Sequence, residues 1–107
     1  MRHLAIAVLV PMLLTACGPK AASYAEVDPI IRKHCISCHS ARPAHPDFAA
    51  PPVGVAFDTP ADVARRAVRI KALVATTTTM PLGNETGMTD AERHIIGKWV
   101  DAGASVK

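Results

Sequence analysis

The stretch Cys35-Ile36-Ser37-Cys38-His39 decides how the rest of the chain is read. It is a C-x-x-C-H run, the attachment signature of a c-type haem. Two thiols at this spacing can each add across one vinyl group of the same porphyrin, making two thioether bonds. The histidine that follows is then held beneath the iron as its proximal ligand. Other chemistries share parts of the run. A thioredoxin-like redox pair also uses C-x-x-C, but inside a βαβ setting that is not visible here. A zinc cluster could draw on His34, His39 and His45, yet no second C-x-x-C or H-x-x-x-H follows. A plain disulfide in an exported protein is the remaining alternative.

Upstream of this run lies a targeting pattern. Arg2 and His3 give a short positive start, and Leu4 to Leu14 is an apolar run of signal-peptide length, too short to span a bilayer. Leu14-Thr15-Ala16-Cys17-Gly18 resembles a bacterial lipobox, with cleavage before Cys17 and lipid on its thiol. The alternative is an ordinary secretory signal beside an unpaired cysteine. Cysteine usage fits the lipoprotein: of 3 cysteines, two go to the haem motif and one to the lipid. More than one acyl chain gives stable attachment to a membrane. Gly18 is not the aspartate that retains many lipoproteins at the inner membrane, which favours the outer one. The expected layout is a signal peptide over 1–16, a lipidated tether over 17–22 and a single domain over 23–107.

Composition narrows the function classes. The formal net charge is +3, so a nucleic-acid-binding surface is not expected. Aromatics are scarce: Tyr24, Phe48, Phe57 and Trp99. A domain this small buries a modest core, and a haem at its centre would supply the missing apolar bulk.

The pattern along the chain predicts an all-α domain of about three helices with long loops. Ser23-Tyr24-Ala25-Glu26 fits a capping box, and Asp28-Pro29 offers a second start for the same helix. Val27, Ile30, Ile31 and His34 share its apolar face and lead into the cysteines. Five helix-breaking residues, Pro43, Pro46, Pro51, Pro52 and Gly54, make 40–60 a loop, with Phe48, Val53, Val55 and Phe57 expected to turn inward. Thr59-Pro60-Ala61-Asp62 opens a second helix whose stripe is Val63, Ala67, Ile70 and Val74. It fades through Thr76 to Thr79. Thr89-Asp90-Ala91-Glu92 caps a third helix closing at Gly103, with Ala91, Ile95, Trp99 and Ala102 expected to be buried.

An iron held by His39 needs a sixth ligand or an open position. His34 precedes the cysteines on the proximal side, and His94 is expected to be exposed or partly packed. His45 stands in the proline-rich loop as a further candidate. Met80 is preferred, because it follows a helix in a loop stiffened by Pro81, and Met88 is its alternative. Either methionine could instead serve core packing. A thioether is soft and neutral and favours Fe(II). With both axial positions filled, such a site passes single electrons; with the sixth open, it would be a haem enzyme or gas sensor.

The order of these motifs resembles class I cytochromes c. Closer still, Tyr24 to Ile31, Cys35 to His39, Ala41-Arg42-Pro43, Ala49 to Val55, Met80 to Asn84, Thr86 to Thr89 and Trp99 to Ala104 resemble the C-terminal cytochrome c domain of membrane-bound bacterial urate hydroxylases. In those enzymes a multi-span membrane domain precedes the cytochrome; here a lipoprotein signal stands in that place. The resemblance implies a small cytochrome c fold around one covalent haem c, with Cys35, Cys38 and His39 at the haem and Met80 on the iron. It implies an electron carrier, not an enzyme, accepting electrons from a membrane or periplasmic oxidoreductase, with urate or purine oxidation as one source. A terminal oxidase or another cytochrome would take the electrons. The expected setting is a lipid-anchored monomer on the periplasmic face of a membrane. Arg65, Arg66, Arg69 and Lys71 could dock acidic partners or form a solvated helix face.

Overall fold

A computed structural model describes residues 7–11 and 21–107. The lipobox with Cys17, and most of the signal segment, lie outside the described residues. Among the described residues the secondary structure is helical, with no strand, and no helix is long and apolar enough to cross a membrane.

Helix α1 runs Tyr24–His34. Its start is set locally. The Glu26 carboxylate accepts the Ser23 backbone N–H at 2.7 Å, satisfying a donor the helix cannot use. The helix therefore begins from Ser23 and continues through Pro29, which lies on its exposed face. Val27, Ile30, Ile31 and His34 are all buried, as their spacing predicts.

The second helix departs from expectation. It is divided into α2, Pro60–Arg65, and α3, Ala67–Lys71, with Arg66 at φ −110° and ψ 13° between them. The break leaves the buried stripe intact: Val63, Ala67, Ile70 and Val74 all stay in the core. The chain then widens into a π-helical turn, Ala72–Thr76, closed by Thr77 N–H to the Ala72 carbonyl at 3.2 Å. π-turns of this kind recur beside functional sites. At the other end Thr59 caps α2, its hydroxyl accepting the Asp62 N–H at 3.2 Å.

The last helix, α4, runs Asp90–Asp101. Thr89 accepts the Glu92 N–H at 3.1 Å and the Glu92 carboxylate accepts the Thr89 N–H at 3.0 Å. Its buried face is Arg93, Ile96, Gly97 and Trp99; of the expected Ala91, Ile95, Trp99 and Ala102, Trp99 alone is buried. Ala91 and Ala102 are exposed and Ile95 is half-buried. The face turns because Arg93 reaches inward. It also turns because α4 crosses α1 through Trp99 and Tyr24, ring centroids 5.7 Å apart. Gly97 permits the close approach of the π-turn: a Cβ there would meet the Ala75 Cβ at 3.3 Å. The Trp99 indole N–H donates to the Ser105 carbonyl at 2.8 Å, tying down the C-terminal segment.

Candidate haem site

The turn that carries the thiols continues from α1. His39 N–H donates to the Cys35 carbonyl at 2.8 Å, and Cys35 N–H to Ile31 at 2.9 Å. Cys35, Cys38 and His39 are therefore placed on one turn at the end of a rigid helix. Neither cysteine is in a disulfide, and both are half-buried. Burial, then the neighbouring Cys38, pushes the Cys35 thiol up to about 12. A thioether carries no ionisable proton, so it suits that apolar setting where a thiolate would not.

His39 is oriented by the backbone. Its Nδ1 lies 2.9 Å from the Val55 carbonyl oxygen. A carbonyl only accepts, so Nδ1 carries the hydrogen, and in the neutral ring Nε2 keeps its lone pair for a metal. The ring also packs against Phe57, centroids 5.2 Å apart, and Phe57 N–H donates to the His39 carbonyl at 2.8 Å. Val55 is presented by a tight turn over Pro51 to Val55: Gly54 N–H donates to Pro51 at 3.0 Å and Val55 N–H to Pro52 at 3.1 Å. Val53 and Gly54 are both left-handed there, at φ 50° and 71°. Val53 is 94% exposed, contrary to the expectation that it turns inward, because the turn aims it away from the core. Phe57 is buried, and Phe48 and Val55 are half-buried. The loop is closed by Asp58, which accepts from Ser40 Oγ at 2.7 Å and from Ala41 N–H at 2.8 Å. Those two bonds hold its carboxyl below the usual range, the Ala41 N–H contributing most.

Met80 is held by its backbone. Its N–H donates to the Leu73 carbonyl at 2.9 Å, and its carbonyl accepts from Arg93 Nη1 at 2.8 Å. The side chain is half-buried against the core cluster, and the Met80–Pro81 peptide bond is cis. Asn84 braces the rest of the loop: its Oδ1 accepts Met88 N–H at 2.9 Å and its Nδ2 donates to the Met88 carbonyl at 3.2 Å. Met88 itself lies in the core at 5% exposure.

The other histidines are engaged elsewhere. His34 is buried, with Nδ1 at 2.7 Å from Thr86 Oγ1 and Nε2 at 2.9 Å from Glu92 Oε2. His45 pairs through Nε2 with Glu85 at 3.0 Å, and its Nδ1 accepts the Asp47 N–H at 3.2 Å. His94 is exposed and lines a surface cleft with Lys71, Asp90 and Lys98. Among the described residues no three His, Cys, Asp or Glu side chains form a group that could hold a metal ion.

Protein-family models, curated proteins and solved structures yield no match to this chain. The site is therefore judged on its own atoms. Two unbonded thiols on one turn, an imidazole with Nε2 free, and a thioether in a braced loop are the donor set that a c-type haem requires. Sequence reasoning named these four residues. It did not place Arg93, Asn84 or the Val55 carbonyl. Arg93 could have been suspected from its position, three residues before Ile96 and six before Trp99, in phase with the apolar stripe. A backbone carbonyl leaves no such mark.

Of the basic stretch, Arg65 pairs with Asp62 and Lys71 with Asp101, while Arg66, Val68 and Arg69 are exposed.

Proposed function

We propose that this chain is a carrier of single electrons. It holds one c-type haem through Cys35 and Cys38, with His39 and Met80 as axial ligands and Cys17 as its lipid anchor. The observation that carries this reading is the hydrogen bond from His39 Nδ1 to the Val55 carbonyl, 2.9 Å, on the residue next to Cys38. It fixes the tautomer and raises the basicity of Nε2, as partners of metal-bound histidines do. Bound haem supplies a one-electron Fe(III)/Fe(II) couple.

The protein's own contribution is orientation and exclusion. Cys35 and Cys38 prevent loss of the group by covalent attachment. Met80 contributes a neutral thioether, which favours the reduced state. Met80 is favoured over Met88 because Met88 is packed among core side chains, while Met80 lies at the core's edge on a pinned backbone. His34 and His45 have both ring nitrogens in use, which removes them as rivals.

The electron donor is an oxidoreductase of the membrane or periplasm, and the acceptor a terminal oxidase or another cytochrome. Exposure of reduced holoprotein to carbon monoxide tests the assignment. Refusal of the gas is expected of a filled sixth position. Ready binding would replace the carrier with a haem enzyme or gas sensor.

A further inference from the structure

We infer that Arg93 is the positioning residue for the sixth ligand, fixing Met80 through its backbone rather than through its sulfur. The inference rests on Met80 being that ligand.

Arg93 is 7% exposed, on the inner face of α4. One nitrogen, Nη1, donates to two carbonyls, Val74 at 2.9 Å and Met80 at 2.8 Å. The other, Nη2, reaches Asn84 Oδ1 at 3.3 Å. All three acceptors are neutral, so a charge has been buried without a carboxylate. Such burial is costly unless hydrogen bonds offset it. The three acceptors supply them and show what the guanidinium joins. Val74 lies in the π-turn, where the helix ends and its last carbonyls lose their partners. Met80 and Asn84 lie on either side of Pro81 to Gly83 in the following loop.

Between Val74 and Met80 the other ties are local: Thr77 donates to the Ala72 carbonyl through its N–H at 3.2 Å and its hydroxyl at 2.9 Å, and the Thr77 and Thr79 hydroxyls lie 3.0 Å apart. Thr76, Thr77, Thr78 and Thr79 are all exposed. Packing therefore does not determine where this segment ends. Arg93 does, by joining the residue where the helix ends to the residue that carries the ligand, with the Leu73–Met80 bond as the second tie. A rigid planar fork holds separate acceptors in fixed directions; an ammonium on a flexible stem does so less well.

The consequence is measurable. An external ligand such as imidazole binds ferric iron only in the fraction of molecules whose Met80 has left, so its apparent affinity reports that fraction. Loss of charge-assisted hydrogen bonds should raise the fraction about tenfold to hundredfold. The experiment titrates imidazole into ferric holoprotein of the wild type, R93Q, R93K and M80A. Far-ultraviolet circular dichroism and thermal melting are recorded on each. Arg93→Gln is expected to bind imidazole about tenfold to hundredfold more tightly than wild type, approaching Met80→Ala, with helix content unchanged. Arg93→Lys is expected to fall between.

A folded R93Q with wild-type imidazole affinity and only a lowered melting temperature would make Arg93 a stability residue and overturn the inference. If R93Q fails to fold, R93K decides by the same comparison. A wild type that already binds imidazole as tightly as M80A would overturn Met80 ligation itself, and the inference with it.

Discussion

The loop following His39 and the loop carrying Met80 solve one problem in different ways. Both turn after a proline on two consecutive left-handed residues: Val53 and Gly54 in the first, Gly83 and Asn84 in the second. In the first loop the His39 ring itself is gripped, by a carbonyl sixteen positions further along the chain. In the second the backbone is gripped, by a guanidinium from another helix. The chemistry of the two side chains explains the difference. An imidazole has a second nitrogen that the protein can hold while the first binds metal. A thioether has one weakly polar atom and nothing else to hold. Its position has to be set through the main chain.

The largest effect expected is on what the two loops share. Replacing Cys35 and Cys38 together by alanine should abolish covalent haem. The remaining core is small, so the helical signal of that variant should decline on heating without a cooperative transition. A sharp melt of the haem-free variant would show that the two loops are organised by the polypeptide alone.

Next comes the brace of the second loop. Asn84→Ala removes both bonds to Met88 and the acceptor of Arg93 Nη2, and leaves an alanine at φ 48° without asparagine's tolerance for the left-handed region. A loss of about 2 kcal/mol in urea unfolding is expected. The opposite sign is expected in the first loop. Val53 is a β-branched residue held left-handed with its side chain in water. Val53→Asn should gain about 1 kcal/mol, because asparagine adopts this conformation at lower cost. Equal and small effects at the two positions would erase the contrast drawn between the turns.

The smallest effects are those of pH, and they divide between the loops. Asp58 closes the first, and its carboxyl is lowered chiefly by the Ala41 N–H. Glu92 sits beside the second. Burial pulls its carboxyl upward, but the Thr89 N–H and His34 more than offset this, and the net direction is down. A carboxyl lowered in the folded state gives stability that is present above its unfolded value, about 4, and lost as pH falls through the folded one. The melting temperature should therefore be level above that range and decline below it. Asp58→Asn and Glu92→Gln should each flatten part of the decline, a result read from melts between neutral and strongly acid pH.

Much of this arrangement is legible in the chain because its causes are local. The capping residues Ser23, Thr59 and Thr89 act within one turn, so the starts of α2 and α4 could be read directly and that of α1 narrowed to Ser23 or Asp28. The periodic stripes of α1 and of α2 with α3 name their buried residues correctly for the same reason. The face of α4 was harder, because hydropathy places an arginine outside and Arg93 points inward. Val53 shows the complementary failure: an apolar residue in an aperiodic loop gives no sign of which way it points. The division at Arg66 leaves the apolar stripe unbroken and so leaves no mark in it, and the π-turn at Ala72–Thr76 packs on α4, which no single window of sequence contains. At the site, the candidate side chains Cys35, Cys38, His39 and Met80 were visible. The atoms that hold them in place, the Val55 carbonyl and the Arg93 guanidinium, come from distant positions and were not.

The most direct test of the account is the oxidised and reduced absorption spectrum of protein matured with covalent haem, in wild type and Met80→Ala. The account predicts a low-spin reduced spectrum and a far-red ferric band that is present in wild type and absent from M80A. A high-spin spectrum, or a far-red band that survives in M80A, would contradict it.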